Sequence, residues 1–443
     1  MLKTFLKFVL PSMLAFAFSG VYAIVDGFFV GRNIGDAGLA AINIAYPMTA
    51  LIQAVGTGIG MGGAIYFSIN KGRQDEKRAS GYAGNTMVYL LFACILLTIF
   101  LACVHYPALE LFGAEGEILT LANEYIRVII VGTTFQLLST GLVPLLRNHG
   151  KAIFAMGCMV AGFVTNIVLD YLFIAVLPFG MAGAAWATII GQAVTMVPCL
   201  LVLFSKKYRL PREAFKPQFG ILKEIISTGI SPFGLTLSPN IVLLIMNKTA
   251  MLYGGTLVVA SYAVISYVSC VVQLLLQGVG DGSQPLLSRY IGEKNVKSAG
   301  TVCKMAYILA AVVALLCGGV MIALRYVIPP FFGASPQVTE AVAEALPVFA
   351  AGFLFIAFLR VTTSYFYASG KNRFAYILVY GEPALLFLLL TFVFPRFWGL
   401  TGVWISVPVT QMLLSGIGFY CLKRKGNKPD NVPDMVLQKN FDK

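Results

Sequence analysis

The stretch Gly58-Ile59-Gly60-Met61-Gly62-Gly63 returns, 220 residues further on, as Gly278-Val279-Gly280-Asp281-Gly282-Ser283. The same offset carries Gly72 to Gly292, Ala79 to Ala299, Phe112-Gly113-Ala114 to Phe332-Gly333-Ala334 and Gly150-Lys151 to Gly370-Lys371. One residue of slippage matches Gly180, Gly183 and Gln192 to Gly399, Gly402 and Gln411, and a slip the other way matches Pro11 to Pro232. The chain is therefore a duplication, and what lies between these landmarks sets its architecture.

What lies between them is apolar. Of 443 residues 58% are hydrophobic and 12% charged, the mean hydropathy is +0.83, and 33 Phe and 20 Tyr are spread along the whole length. A soluble domain carries about a quarter charged residues, so lipid must solvate this chain. Stretches long enough to cross a bilayer, about 20 apolar residues, fall at 8–30, 39–69, 82–104, 119–145, 152–177, 181–204, 221–250, 256–288, 301–324, 340–366, 374–395 and 399–422. Lys3 and Lys7 before a run ending Val21-Tyr22-Ala23 resemble a secretory signal. Apolar sequence continues through Phe28-Phe29-Val30, however, and the stretch reads as an uncleaved first span.

The gaps fix the orientation. With the amino terminus in the cytoplasm, 26 of the 32 Lys and Arg fall on that side and 4 on the other, Arg127 and Arg360 lying inside spans. Positive charge is retained in the cytoplasm, so both termini are expected there. Six spans per copy is an even number, which makes the repeat parallel, with a pseudo-twofold axis along the membrane normal. The expected fold class is an all-α polytopic membrane protein of twelve transmembrane helices in two six-helix lobes. The first lobe is 1–204 and a basic cytoplasmic linker interrupted by Pro211 and Pro217 occupies 205–220. The second lobe is 221–422, and 423–443 is a cytoplasmic tail.

Several function classes are excluded. The net charge of +13 is dispersed over short loops rather than gathered on a folded face, so no nucleic-acid partner is expected. Eight Cys without a CxxC pair suggest neither disulfides nor zinc, and no cofactor is expected. There is no GxxxxGK[ST] loop for an ATP-driven pump. His105 and His149 both fall in loops, which leaves no metal or nucleophile set for an intramembrane enzyme. A static pore needs neither two lobes nor a hinge, and no filter sequence is present. A rocking secondary transporter remains, its partners the lipid bilayer and a small-molecule substrate, its functional unit a single chain.

Ionisable residues inside spans are costly and mark function. Asp26 lies about four residues from the outer end of the first span and Asp170 about seven from that of the fifth; at about 1.5 Å per residue the two share a depth. Tyr22 and Asn166 stand one turn before their respective carboxylates, on the same faces. Thr188 on the sixth span reaches the same level. Two carboxylates desolvated together cannot both stay ionised, so the pair takes up a proton or a small cation. The repeat positions are Asn247 and Leu390, so this pair belongs to the first lobe alone. Glu382 before Pro383, and Arg360, are candidates for substrate contact or mutual neutralisation. Asp281, in a glycine-rich stretch expected to bend near Gln284-Pro285, is a structural or secondary polar residue. Glu124 and Arg127, spaced i, i+3, read as a local ion pair.

Pro11 and Asp26, followed by Phe29-Val30-Gly31-Arg32-Asn33-Ile34-Gly35, Ala40-Ala41-Ile42-Asn43 and Pro47, resemble the multidrug and toxic compound extrusion (MATE) transporters. So do Asn166 with Asp170 and Gln284-Pro285-Leu286, and the resemblance covers essentially the whole chain. It implies a V-shaped pair of lobes and export of cationic, aromatic drugs in antiport with H+ or Na+. In the bacterial DinF-like branch it implies coupling-ion binding at Tyr22, Asp26, Asn166, Asp170 and Thr188. It makes Pro11 the proline at which the first helix bends. Other branches place acids in spans seven and ten; the interior of span seven here has none, and span ten has only Glu340 and Glu344 near its outer end. The resemblance leaves one alternative, a flippase for lipid-linked saccharides, whose cleft would be strongly cationic.

Overall fold

A computed structural model describes residues 1–206, 208 and 210–426; the linker residues Lys207 and Arg209 and most of the tail, 427–443, lie outside it. Among the described residues every regular element is helical. The first half comprises α1 (Leu2–Asn33), α2 (Asp36–Gly72), α3 (Glu76–Leu111), α4 (Gly116–Val131), α5 (Thr133–Asn148), α6 (Ala152–Asp170) and α7 (Gly180–Leu203). The second comprises α8 (Phe219–Gly292), α9 (Val296–Ala323), the short α10 (Ile328–Phe331), α11 (Pro336–Ala368), α12 (Asn372–Leu388) and α13 (Phe394–Gly426). In lipid, every backbone polar group must find a partner within its own segment, and helices do this.

At about 1.5 Å per residue α8 would be about 110 Å long, several times the thickness of a bilayer. It turns back at Gly255, whose φ of 65° and ψ of −157° suit glycine. Its two ends lie beside the same end of α2: a Cβ at Gly62 would stand 2.2 Å from the Ile225 carbonyl oxygen, and one at Gly72 2.2 Å from that of Arg289. A second reversal occurs at Gly399 (φ 51°, ψ −129°) inside α13. Among the described residues nine continuous helical segments, Asn372–Lys423 one of them, are long and apolar enough to span, and the pair α4 and α5 makes a tenth. The two reversals split two of these segments, and twelve spans result. The fourth is not the single helix expected: it breaks by 59° at Gly132, where a Cβ would meet Ile189 at 2.1 Å. Its repeat, α11, runs unbroken through Gly352.

The duplication is visible in the backbone itself. The positive φ values at Gly35, Gln74, Gly113 and Gly150 recur 220 residues later at Gly255, Lys294, Gly333 and Gly370. Asp75 caps α3 by accepting from the Arg78 amide, and Asn295 caps α9 by accepting from that of Ser298. Even the π-helical turn Tyr171–Val176 after α6 has its copy in Leu389–Val393 after α12.

Each repeat has its own core, one around Leu90, Ile126 and Ile189, the other around Ile265, Leu346 and Phe366. They trade first turns: Phe5 and Val9 of α1 are buried in the second core, and Ile225 of α8 in the first. The lobes meet through glycine. Gly229 faces Gly58, where an added Cβ would be 2.3 Å from the Gly58 oxygen; Gly278 and Gly282 lie against the Met13 and Val9 backbones, where added Cβ atoms would be 2.6 and 2.7 Å from the respective Cα atoms. Small residues let helix backbones touch in this way. These contacts lie toward the basic loops, as do the inter-lobe hydrogen bonds Asn148 to Gln284 (3.0 Å) and Tyr82 to Glu224.

Candidate functional site

Asp26 and Asp170 face each other within hydrogen-bonding reach. α1 brings Asp26, and Asp170 is the last residue of α6, immediately before the π-helical turn. The second lobe keeps that turn with Leu390 buried in it, so the turn is scaffold and the acid an addition. Asn166, 2% exposed, lies one turn before Asp170, and Tyr22 one turn before Asp26 stacks on Phe163 with ring centroids 5.2 Å apart. Thr188 arrives from α7, which approaches α6 closely because Gly162 and Gly191 meet without side chains: a Cβ at either would stand 2.6 or 2.7 Å from the other's carbonyl oxygen. Tyr22, Asn166 and Thr188, with Gln192 and Thr195, line a single pocket.

This cluster is short of donors. Asp26 Oδ1, both Asp170 oxygens, both amide atoms of Asn166 and Thr188 Oγ1 are buried and have no hydrogen-bond partner. Among the described residues no Lys or Arg acts on either carboxylate. Burying two carboxylates without a counter-charge is costly, and oxygens of this kind are the ligands that hard cations take. A proton shared by the two carboxyls would relieve their repulsion but leave Asn166 and Thr188 unsatisfied. Tyr125 and Tyr46 also stand within electrostatic reach of this cluster. No spacing in the sequence marks them, since neither shares a helical face with an acid it serves.

The remaining candidates separate. Pro11 is buried within a continuous α1. Asp281 Oδ1 accepts from Gln277 (2.8 Å) and from the Tyr367 hydroxyl (2.7 Å), and α8 continues through Pro285 to Gly292. Buried Arg147, which the sequence did not single out, reaches across the lobes to Asp281 electrostatically and donates to Ser12 Oγ at 3.3 Å. Arg360 donates to Gln273 (2.9 Å) and Glu382 accepts from Gln411 (2.6 Å); the two do not neutralise each other directly, although both line one cavity. The expected pair Glu124 and Arg127 does not form. Glu124 instead accepts from the Ala182 amide at 3.0 Å, in the first turn of α7, where helix N–H groups lack partners.

The MatE family model matches this chain twice, over residues 11–172 and 236–393, one match to each repeat. The multidrug export protein MepA of Staphylococcus haemolyticus is 25% identical over 433 residues, covering 96% of this chain and 94% of that protein. MepA of Staphylococcus aureus is 25% identical, covering 93% and 91%. Among solved structures, an outward-facing multidrug resistance MATE family transporter of the MOP superfamily superposes with a TM-score of 0.89 at 25% identity, covering 96% of this chain and 95% of that one. A MOP superfamily transporter from Pyrococcus furiosus superposes with 0.88 at the same identity and coverage. A doubly matched family model, relatives aligned end to end and a shared twelve-helix V together show that this chain belongs to the MATE family of multidrug efflux transporters and is a membrane transporter, not an enzyme.

Proposed function

We propose that this chain is a secondary active exporter that expels organic, cationic, aromatic compounds from a bacterial cell in exchange for a cation bound at Asp26 and Asp170. The observation that carries this reading is the set of six buried polar atoms without partners at Asp26, Asn166, Asp170 and Thr188. A desolvated Na+ would engage all five oxygens among them, whereas H+ would bridge only the carboxyls; Na+ is therefore the coupling ion we favour. The excess of Lys and Arg on one side puts that side, with both termini, in the cytoplasm. The functional unit is one chain.

Coupling would run along α1. Its outer part holds Tyr22 and Asp26 against α6, while Val9 to Met13 packs on Gly278 and Gly282 of the other lobe. Pro11 lies in that second region and offers no amide to the helix, which is where bending costs least. An ion that pulls Asp26 toward Asp170 thus acts on both lobes through one rod. Reciprocity requires that the ion and the drug weaken each other's binding by the same factor.

Efflux of a fluorescent organic cation from proteoliposomes, under Na+ and pH gradients imposed separately, tests the reading. Transport driven by the Na+ gradient alone supports it. Transport driven by pH alone assigns the site to H+, and flux that follows only the dye's own gradient would make the protein a passive pore.

A further inference from the structure

Where the seam lies nearest the basic loops, α1, α5 and α8 converge on buried polar groups that have no role so far. Arg147, next to last in α5, is 6% exposed, and Asp281 of α8 is 4% exposed. Arg147 is the strongest charge acting on Asp281, yet among the described residues no carboxylate lies within ion-pairing distance of the guanidinium, and its Nε has no partner. The guanidinium donates instead to Ser12 Oγ, at 3.3 Å. Ser12 is itself buried, follows Pro11 in α1, and is wedged against α8: a Cβ at Gly282, the residue after Asp281, would stand 3.0 Å from the Ser12 Cβ. Asn148, adjacent to Arg147, extends the junction by exchanging hydrogen bonds with Gln284 at 3.0 and 3.2 Å.

The duplication leaves this junction single. The repeat positions of Arg147, Asn148, Asp281 and Gln284 are Tyr367, Ala368, Met61 and Ala64, which supply neither a second pair of charges nor a second pair of amides. Both halves share the glycine contacts, but the polar bolt occurs once. A guanidinium withdrawn from water with no carboxylate against it is costly, and a parted seam would return it to water. What favours the closed seam is therefore the charge of Asp281 across it and the hydroxyl of Ser12. Arg360 also acts on Asp281, but it belongs to the same lobe and moves with it, so it does not distinguish closed from open. Arg147 belongs to the other lobe, and does.

We propose that Arg147 is the positioning residue through which α1 controls the seam. Ser12 holds the guanidinium toward Asp281 while α1 is straight; bending at Pro11, where the helix lacks an amide donor, withdraws the hydroxyl and lets the lobes part at this end. The proposal rests on the exporter reading only for what bends α1, and the bolt itself needs no ion.

The test measures how fast Thr228→Cys, buried beside Gly229 at the seam, reacts with a soluble thiol reagent. The full-length protein is freed of its eight native cysteines and held in nanodiscs at one pH and one salt composition. Arg147→Gln and Asp281→Asn should each speed labelling about tenfold or more, the effect of removing a charge-assisted contact, and Ser12→Ala should speed it less. Arg147→Gln combined with either of the others should be no faster than Arg147→Gln alone, because one bolt is broken once. Pro11→Ala, which restores the amide and stiffens α1, should slow labelling when Arg147 is present and change nothing in Arg147→Gln. Ser12→Ala removes no charge, so it keeps the test open should the charge variants fold poorly; it too should abolish the effect of Pro11→Ala. Effects that multiply in the double variants would overturn the proposal. So would a Pro11→Ala effect that survives either Arg147→Gln or Ser12→Ala, or labelling of Arg147→Gln at the wild-type rate. All these rates are read without an ion gradient, so they stand or fall apart from the coupling of export to Na+ or H+ at Asp26 and Asp170.

Discussion

Adding one methyl group at Gly62 asks whether the glycine seam is a joint between moving bodies. A Cβ there would stand 2.2 Å from the Ile225 carbonyl oxygen and 3.1 Å from the Gly229 nitrogen, both backbone atoms of the other lobe. Non-bonded heavy atoms settle at about 3.5 Å, so α2 and α8 must separate by roughly 1 Å, and no rotamer can absorb the shift. Overpacking of this kind costs about 1–3 kcal/mol, or about 5- to 150-fold in the balance between closed and open seams. Gly60, two residues earlier on α2, supplies the control: its Cβ would stand 2.2 Å from the Gly141 oxygen, the same steric load within one lobe. Gly62→Ala should penalise only the state in which the lobes are pressed together, and Gly60→Ala the folded lobe in every state. The assay is the rate at which Thr228→Cys, buried in the wild type, reacts with a soluble thiol reagent in a background free of the eight native cysteines. Gly62→Ala should speed labelling by about 5- to 150-fold with an unchanged melting temperature; Gly60→Ala should lower the melting temperature without speeding labelling. Identical behaviour of the two variants would refute the idea that α2 and α8 belong to separate bodies.

Asp26→Asn and Asp170→Asn should each abolish gradient-driven export at normal expression, with Glu382→Gln losing less; wild-type transport by either Asn variant would remove the acid pair from coupling. Thr188→Val keeps the carboxylates but deletes one oxygen, and should raise the Na+ concentration needed for half-maximal export while leaving any proton-driven flux intact. Cys placed at Asn33 should react with an impermeant reagent outside intact cells and Cys at Gln74 should not, the reverse pattern inverting the topology. Burial, with a smaller push from the charge of Lys71 and against a hydrogen bond to the Leu145 carbonyl, holds the imidazole of His149 below its ordinary pKa. The unfolded chain then takes up the proton first, so His149 should favour the fold above about pH 6.5 and lose that contribution as pH falls toward the depressed value. His149→Phe should flatten this part of the pH profile of thermal unfolding.

Most of the fold could be read from residues because its two signals are one-dimensional: apolar length, and an offset of 220 that pairs Gly58 with Gly278 and Gly150 with Gly370. The break at Gly132 could not, since Gly352 is the same residue in the repeat and stays helical; what differs is Ile189, packed where a Cβ would go. The acids of the first lobe were legible because charge in lipid is rare, and depth counting brought Asp26 and Asp170 to one level. Their aromatic neighbours Tyr46 and Tyr125 were not, because tyrosine is ordinary in a membrane protein and only three-dimensional approach distinguishes these two. Glu124 shows a different limit. Its i, i+3 spacing to Arg127 permits an ion pair, but the unpaired amides at the start of α7 offer a better donor that no local pattern announces.

The contact between lobes has the form of an encounter between twins. Phe5 enters the core of the opposite lobe and Ile225, its partner under the repeat, enters the first; Gly58 meets Phe233, while Gly278 meets Met13, and each contact maps onto the other. An isologous, swapped interface is what two separate copies of a six-helix chain would make in a homodimer. In such an ancestor any change at the seam or in the pocket was felt twice, and a carboxylate gained on one side appeared on both. Fusion lifted that constraint. The backbone still obeys the old symmetry down to its π-helical turns, while the side chains have parted company, with paired acids in one half and a base facing an acid in the other.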